Sequence, residues 1–71
     1  MNERIDARGL SCPQPVVITR SKMDEIGQGE FEVIVDTATS RDNITRMSEK
    51  KGWTVDVKED GDDFILTIKK P

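Results

Sequence analysis

Apolar residues in this chain recur with two periods, and each change of period marks a new element. Between residues 3 and 8, Ile5 and Ala7 alternate with Arg4, Asp6 and Arg8, the two-residue repeat of a half-buried strand, and Gly9 ends it. From about Pro13 to Ile26 the spacing turns helical. Val16, Ile18, Thr19, Met23 and Ile26 then share one broad side, and Arg20, Ser21 and Asp24 lie opposite. Val17 departs from this pattern and should face solvent. Gly27 and Gly29 bracket a turn, after which Phe31, Val33 and Val35 line one face of a strand over residues 30–36, with Glu32 and Ile34 on the other.

The second half repeats the scheme. Thr39 with Asp42 three residues later resembles a capping box, opening a helix that should run to about Lys51 and stop at Gly52. Ile44 and Met47 supply its thin apolar stripe, and Lys50 and Lys51 suit its negative C-terminal end. Trp53, Val55 and Val57 then alternate with Thr54, Asp56 and Lys58. The run Glu59-Asp60-Gly61-Asp62 predicts a hairpin with Asp60-Gly61 as its tight pair. Phe64, Leu66 and Ile68 form the inward face of the last strand, and Ile65 beside them suits a central position.

The order βαβαββ predicts an α/β (α+β) two-layer sandwich, with two helices on one face of a mixed four-stranded sheet. Right-handed crossovers make the first three strands parallel, and the closing hairpin turns the fourth antiparallel. Inserting that strand between the second and third gives the order 1-2-4-3. The other sheet face, with Ile34 and Ile65 as its main apolar groups, should be solvated. Residues 1–71 are expected to form a single domain.

Composition narrows what such a domain can do. With 71 residues and 34% hydrophobic content, the core has to be small and leaves little room for an enclosed pocket. The 11 basic and 14 acidic residues give a net charge of −3, which argues against a general nucleic-acid surface. A single cysteine rules out an internal disulfide and a thiol metal cluster, and the absence of histidine removes the commonest neutral-pH base. No metal or cofactor is expected. The four acidic residues Glu59, Asp60, Asp62 and Asp63 lack the spacing of a calcium loop and read as a solvated turn. Neither a signal-peptide core nor an 18-residue apolar stretch is visible, so no membrane association is expected. A cytoplasmic location follows, where a free thiol stays reduced.

The remaining chemistry centres on Cys12 in Cys12-Pro13-Gln14-Pro15. A free cysteine is often a small buried hydrophobe, but this one sits in a turn entering a helix. Unpaired N–H groups and the positive helix end there favour thiolate over thiol. Pro13 and Pro15 fit the first turn, where a missing N–H costs no helical bond. Arg8 could add positive charge if its side chain folds back. Dithiol exchange needs a second cysteine where Pro15 stands, and a cysteine protease needs a base. A lone accessible thiolate is suited to accepting a group from one protein and passing it to another.

The run Asp6-Ala7-Arg8-Gly9-Leu10-Ser11-Cys12-Pro13-Gln14-Pro15-Val16 resembles the N-terminal signature of the TusA/SirA/YedF family of small sulfur carriers. The resemblance extends over essentially the whole chain, through Val33-Ile34-Val35-Asp36, Thr39-Ser40-Arg41-Asp42 and the closing hairpin. It implies that Cys12 receives persulfide sulfur from a donor such as a cysteine desulfurase and relays it to a downstream acceptor protein, as a carrier-type sulfurtransferase. Pro13, Gln14 and Pro15 would shape the site, and Asp36 matches an acidic position implicated in handling the sulfur or its acceptor. In some members the sulfur ends in tRNA, so indirect tRNA contact is implied. Gln14 between the prolines brings the motif closer to the YedF-like branch, associated with selenium or general sulfur metabolism. Asp36 also reads as a plain strand-end carboxylate, and Arg41 either as an anion-orienting group or as a solvated or locally paired one. Two rival readings stand beside the carrier: a non-catalytic protein-binding or regulatory module, and a single-cysteine redox signal.

Overall fold

The alternating stretches pair into one sheet because each has an apolar face to bury and backbone groups to satisfy. The computed structural model describes residues 3–11 and 14–70. Its elements are β1 (Glu3–Asp6), α1 (Gln14–Ile26), β2 (Gly29–Val35), α2 (Ala38–Lys50), β3 (Thr54–Asp60) and β4 (Asp63–Lys70). The strand order is β1-β2-β4-β3. β1 runs parallel to β2, and β4 runs antiparallel to both β2 and β3. The α+β sandwich and the 1-2-4-3 order expected from the pattern are both present.

Register places the core on one face. Phe31 pairs with Ile68 and Val33 with Leu66, and all four side chains are fully buried. Met23 of α1 and Ile44 of α2 close over them, and Phe31 meets Trp53 edge to face at 5.8 Å between ring centroids. On the opposite face Ile34 pairs with Ile65, and both are only half-buried. Pro15 is fully buried, and its carbonyl accepts a 2.7 Å bond from the buried Thr19 hydroxyl. Ser48 is also fully buried, and its Oγ has no hydrogen-bond partner among the described residues.

Four local expectations shift. β1 ends at Asp6 and not at residue 8, because Arg8 and Gly9 turn away; the buried Ala7 still donates its N–H to the Ile34 carbonyl at 2.8 Å. α2 is capped by Thr37 and not by Thr39. Thr37 is extended at φ −133° and ψ 148°, and its Oγ1 accepts the Ser40 N–H at 3.1 Å, whereas Thr39 already lies inside the helix. Val57 is 44% exposed although it faces the helix side, because β3 is an edge strand with a neighbour on one side only. In the hairpin Asp60 pairs with Asp63, so the two-residue loop is Gly61-Asp62, and Gly61 takes the positive φ (62°) that primed turns require.

The cap assignment has a direct test. Thr37→Ala should lower unfolding free energy by about 1 kcal/mol in urea titrations, and Thr39→Ala should leave it nearly unchanged. The reverse ranking would show that the helix begins at Thr39.

Candidate functional site

The C-terminal ends of β1 and β2 lie together because the two strands are parallel. The start of β4 joins them, since Phe64 pairs with Val35. The loop leaving β1 toward α1 is tied to this end of the sheet at two points. The Gly9 N–H donates to Asp36 Oδ2 at 3.1 Å, fastening the β1–α1 loop to the residue that follows β2. Gly9 adopts φ 77°, a left-handed conformation that costs a side-chain-bearing residue strain.

Arg8 supplies the second tie. Its Nε and Nη2 bind the two Asp6 oxygens at 2.9 and 2.8 Å, and its Nη1 binds Asp63 Oδ2 at 3.1 Å. The Arg8 N–H also donates to Asp6 Oδ1 at 3.1 Å. A forked guanidinium thus joins the end of β1 to the start of β4. Hydrogen bonds from the Arg8 side chain and backbone hold the Asp6 carboxyl down at about 2, and Asp6 in turn raises Arg8 above its ordinary value. The Arg8 charge is therefore engaged by two carboxylates.

Along the loop, Leu10 is 41% exposed and Ser11 is exposed, and the Ser11 carbonyl accepts the Gln14 N–H at 2.9 Å. Gln14 is exposed at the start of α1, and Pro15 behind it turns into the core. Val17, 40% exposed as its position in the pattern predicted, adds an apolar group in the same turn of the helix. Cys12 and Pro13, central to the sequence reading, lie outside the described residues. Leu10 and Val17 are thus two exposed apolar side chains that flank the cysteine motif in the chain.

Arg41 is held locally. Its Nε binds Asp42 Oδ1 at 2.9 Å, and its guanidinium carbon lies 4.7 Å from the centre of the Phe64 ring. That bond raises Arg41 and lowers Asp42 relative to their ordinary values. The structure therefore brings Asp36 and Arg8 into the frame of the motif loop and commits Arg41 to Asp42 and Phe64. Asp63, expected to be a solvated turn residue, is instead an Arg8 partner across 55 positions of sequence. No short-range pattern could have disclosed that pair. Among the described residues no cluster of His, Cys, Asp or Glu could hold a metal ion, and no helix is long and apolar enough to cross a membrane.

The structure is a small α+β fold whose cysteine motif falls, in the sequence, between a loop pinned at the sheet end and the start of α1. The family described as sulfurtransferase TusA matches residues 3–70, and the chain belongs to that family. It is 36% identical over 70 residues to a protein of Methanocaldococcus jannaschii named as a candidate sulfur carrier, covering 96% of this chain and 93% of that one. YedF of Escherichia coli K12, also named as a candidate sulfur carrier, is 36% identical over 69 residues, covering 94% of this chain and 90% of its own length. Among solved structures, the SirA-like protein of Desulfitobacterium hafniense superposes with a TM-score of 0.89 at 33% identity, covering 94% and 95% of the two chains.

Two measurements check the frame. In carbon-detected NMR titration, Asp6 should titrate near 2 in the native chain and move up toward its ordinary 3.8 in Arg8→Ala. Because the folded value is depressed, this pair's contribution to stability is complete above pH ~4 and is lost as pH falls toward 2. An unshifted Asp6 in Arg8→Ala would contradict the ion pair. Separately, Asp36→Ala should speed Gly9 amide exchange by about tenfold, and Asp36→Asn, which keeps an acceptor oxygen, should restore most of the protection. Equal exchange in all three proteins would remove Asp36 from the loop's support.

Proposed function

We propose that this protein is a persulfide carrier in which Cys12 accepts sulfane sulfur from a donor protein and hands it to an acceptor protein. The observation that carries the reading is the family membership over residues 3–70, combined with one cysteine in the whole chain, placed in the family's motif. The fastening of Gly9 by Asp36 and the clamp of Arg8 on Asp6 and Asp63 support it, since they steady the chain three and four residues before the thiol.

In the accepting step the Cys12 thiolate attacks the terminal sulfur of the donor's Cys–S–SH. A new S–S bond forms at Cys12, the donor's S–S bond breaks, and the donor leaves as a thiolate. In the donating step an acceptor thiolate attacks the terminal sulfur on Cys12, which departs as thiolate ready for another round. Each step exchanges one disulfide-type bond for another, so no external oxidant or reductant is consumed. The requirement is thiolate character and access from both sides. The helix start that follows Cys12 in the chain supports the first, and the exposed Leu10 and Val17 on either side of the motif in the chain support the second.

On this reading Pro13, Gln14 and Pro15 shape the approach to Cys12, and Asp36 and Arg8 position its loop. The carrier unit is the single domain of residues 1–71, acting in the cytoplasm. A cysteine desulfurase is the donor class, and the acceptor belongs to sulfur, selenium or tRNA-thiolation chemistry.

Incubation with a desulfurase and free cysteine should add one sulfur atom to the intact mass of the protein. The adduct should be removed by dithiothreitol and be missing from Cys12→Ser. A native chain that gains no sulfur in a single turnover would overturn the carrier reading.

A further inference from the structure

Several cations on this molecule are already paired. Arg4 binds Glu32, Arg8 binds Asp6 and Asp63, Lys22 binds Glu3 and Glu25, and Arg41 binds Asp42. A different arrangement lies between the two helices. There a groove of about 570 Å³ has Val16 of α1 and Met47 of α2 in its wall, with Arg20, Arg46, Lys50 and Lys51 among its lining. Val16 and Met47 are half-buried and pack against the core. Lys51 reaches Asp24 at 3.3 Å, but Arg20, Arg46 and Lys50 are exposed and form no ion pair among the described residues. In a chain of net charge −3, one groove therefore gathers three cations that form no ion pair among the described residues, beside an apolar strip.

The spacing makes this arrangement directional. Val16 and Arg20 are four residues apart on α1, and Arg46 and Lys50 are four apart on α2, so each helix presents its contribution along one face. Val16 stands four residues after Cys12, at the end of the groove nearest the motif in the chain.

We propose that this groove docks an acidic segment of the sulfur-donating protein, one that lays an aliphatic or aromatic side chain on Val16 and Met47 and sets carboxylates against Arg20, Arg46 and Lys50. The proposal rests on the carrier reading above and names how the donor is recognised. A nucleic-acid backbone would satisfy the cations but offers nothing to the apolar strip. An acidic peptide face with an apolar anchor satisfies both. Charges at the groove's rim govern the encounter and its salt dependence, and the apolar strip fixes the seat.

The test separates docking from sulfur chemistry by measuring binding in the Cys12→Ser background, where no sulfur is transferred. A fluorescence titration with a cysteine desulfurase should give saturable binding that weakens with salt. Arg46→Glu with Lys50→Glu should weaken it by about tenfold or more. Lys58→Glu with Lys69→Glu, the same charge change on the opposite sheet face, should leave it within about twofold. Loading of Cys12 by inorganic polysulfide should be the same in the Arg46→Glu, Lys50→Glu chain as in the native one, showing that the thiol is intact. The docking proposal fails if the parent does not bind the desulfurase, if the groove variant binds as tightly as its parent, or if both charge-reversed pairs weaken binding alike. It fails equally if the groove variant loses affinity for tRNA and keeps its affinity for the desulfurase. Failure of polysulfide to load the native Cys12 would instead strike the carrier reading, leaving the binding result to judge the groove.

Discussion

The sheet depends on β4 lying between β2 and β3. These two strands do not touch, and each takes its antiparallel ladder from β4. β4 is also where the buried core crosses the sheet, since Leu66 and Ile68 oppose Val33 and Phe31 on one side and Val57 and Val55 on the other. The helices can settle only on a surface completed in this way. The sheet is therefore a non-local construction, with loop-closure entropy spent before its central contacts exist. The clamp at the motif loop inherits the same dependence, because Asp63, the first residue of β4, is one of the two carboxylates that hold Arg8.

That linkage explains how a short edge strand can hold the loop that follows it. β1 has four residues and one neighbour, too little to hold the chain beyond it firmly by ladder bonds alone. Arg8 and Asp36 add side-chain bonds that reach from the loop to β4 and to the end of β2. These bonds are exposed and individually modest, yet they constrain successive residues, Arg8 and Gly9, on either side of one peptide bond. The thiol lies beyond this fastened point and before Pro15, which is anchored in the core. Its segment is thus bounded by fixed chain on both sides while Leu10, Ser11, Gln14 and Val17 remain open to solvent.

Periodicity was enough to read the four strands, both helices and even the central place of β4, because Phe31, Val33, Val35, Leu66 and Ile68 all had to share one face. It was less reliable at boundaries. Thr37 and Thr39 are equally good caps by composition, and the choice is made by where β2 ends and the backbone is still extended. Val57 fits the inward pattern but sits on an edge strand, a fact that emerges only once the sheet order is known. At the site, the nearness of Asp36 to the loop leaving β1 could be read locally, from its place at the end of the second strand. The partnership of Arg8 with Asp63 could not, since it joins the two ends of the chain through tertiary structure. The groove was invisible for the same reason: Lys50 and Lys51 read as helix-end charges until α1 placed Arg20 across from them.

The two open edges of the sheet carry a consequence for a protein whose work consists of meeting other proteins. β1 presents Glu3 and Arg4 with Asp6, and β3 carries Asp56, Lys58, Glu59 and Asp60 along its outer rim. Each collision brings a foreign backbone near unpaired strand groups, and charged edges make strand addition unfavourable. Repeated encounters can therefore remain brief, with partners released after contact instead of being annexed into a growing sheet.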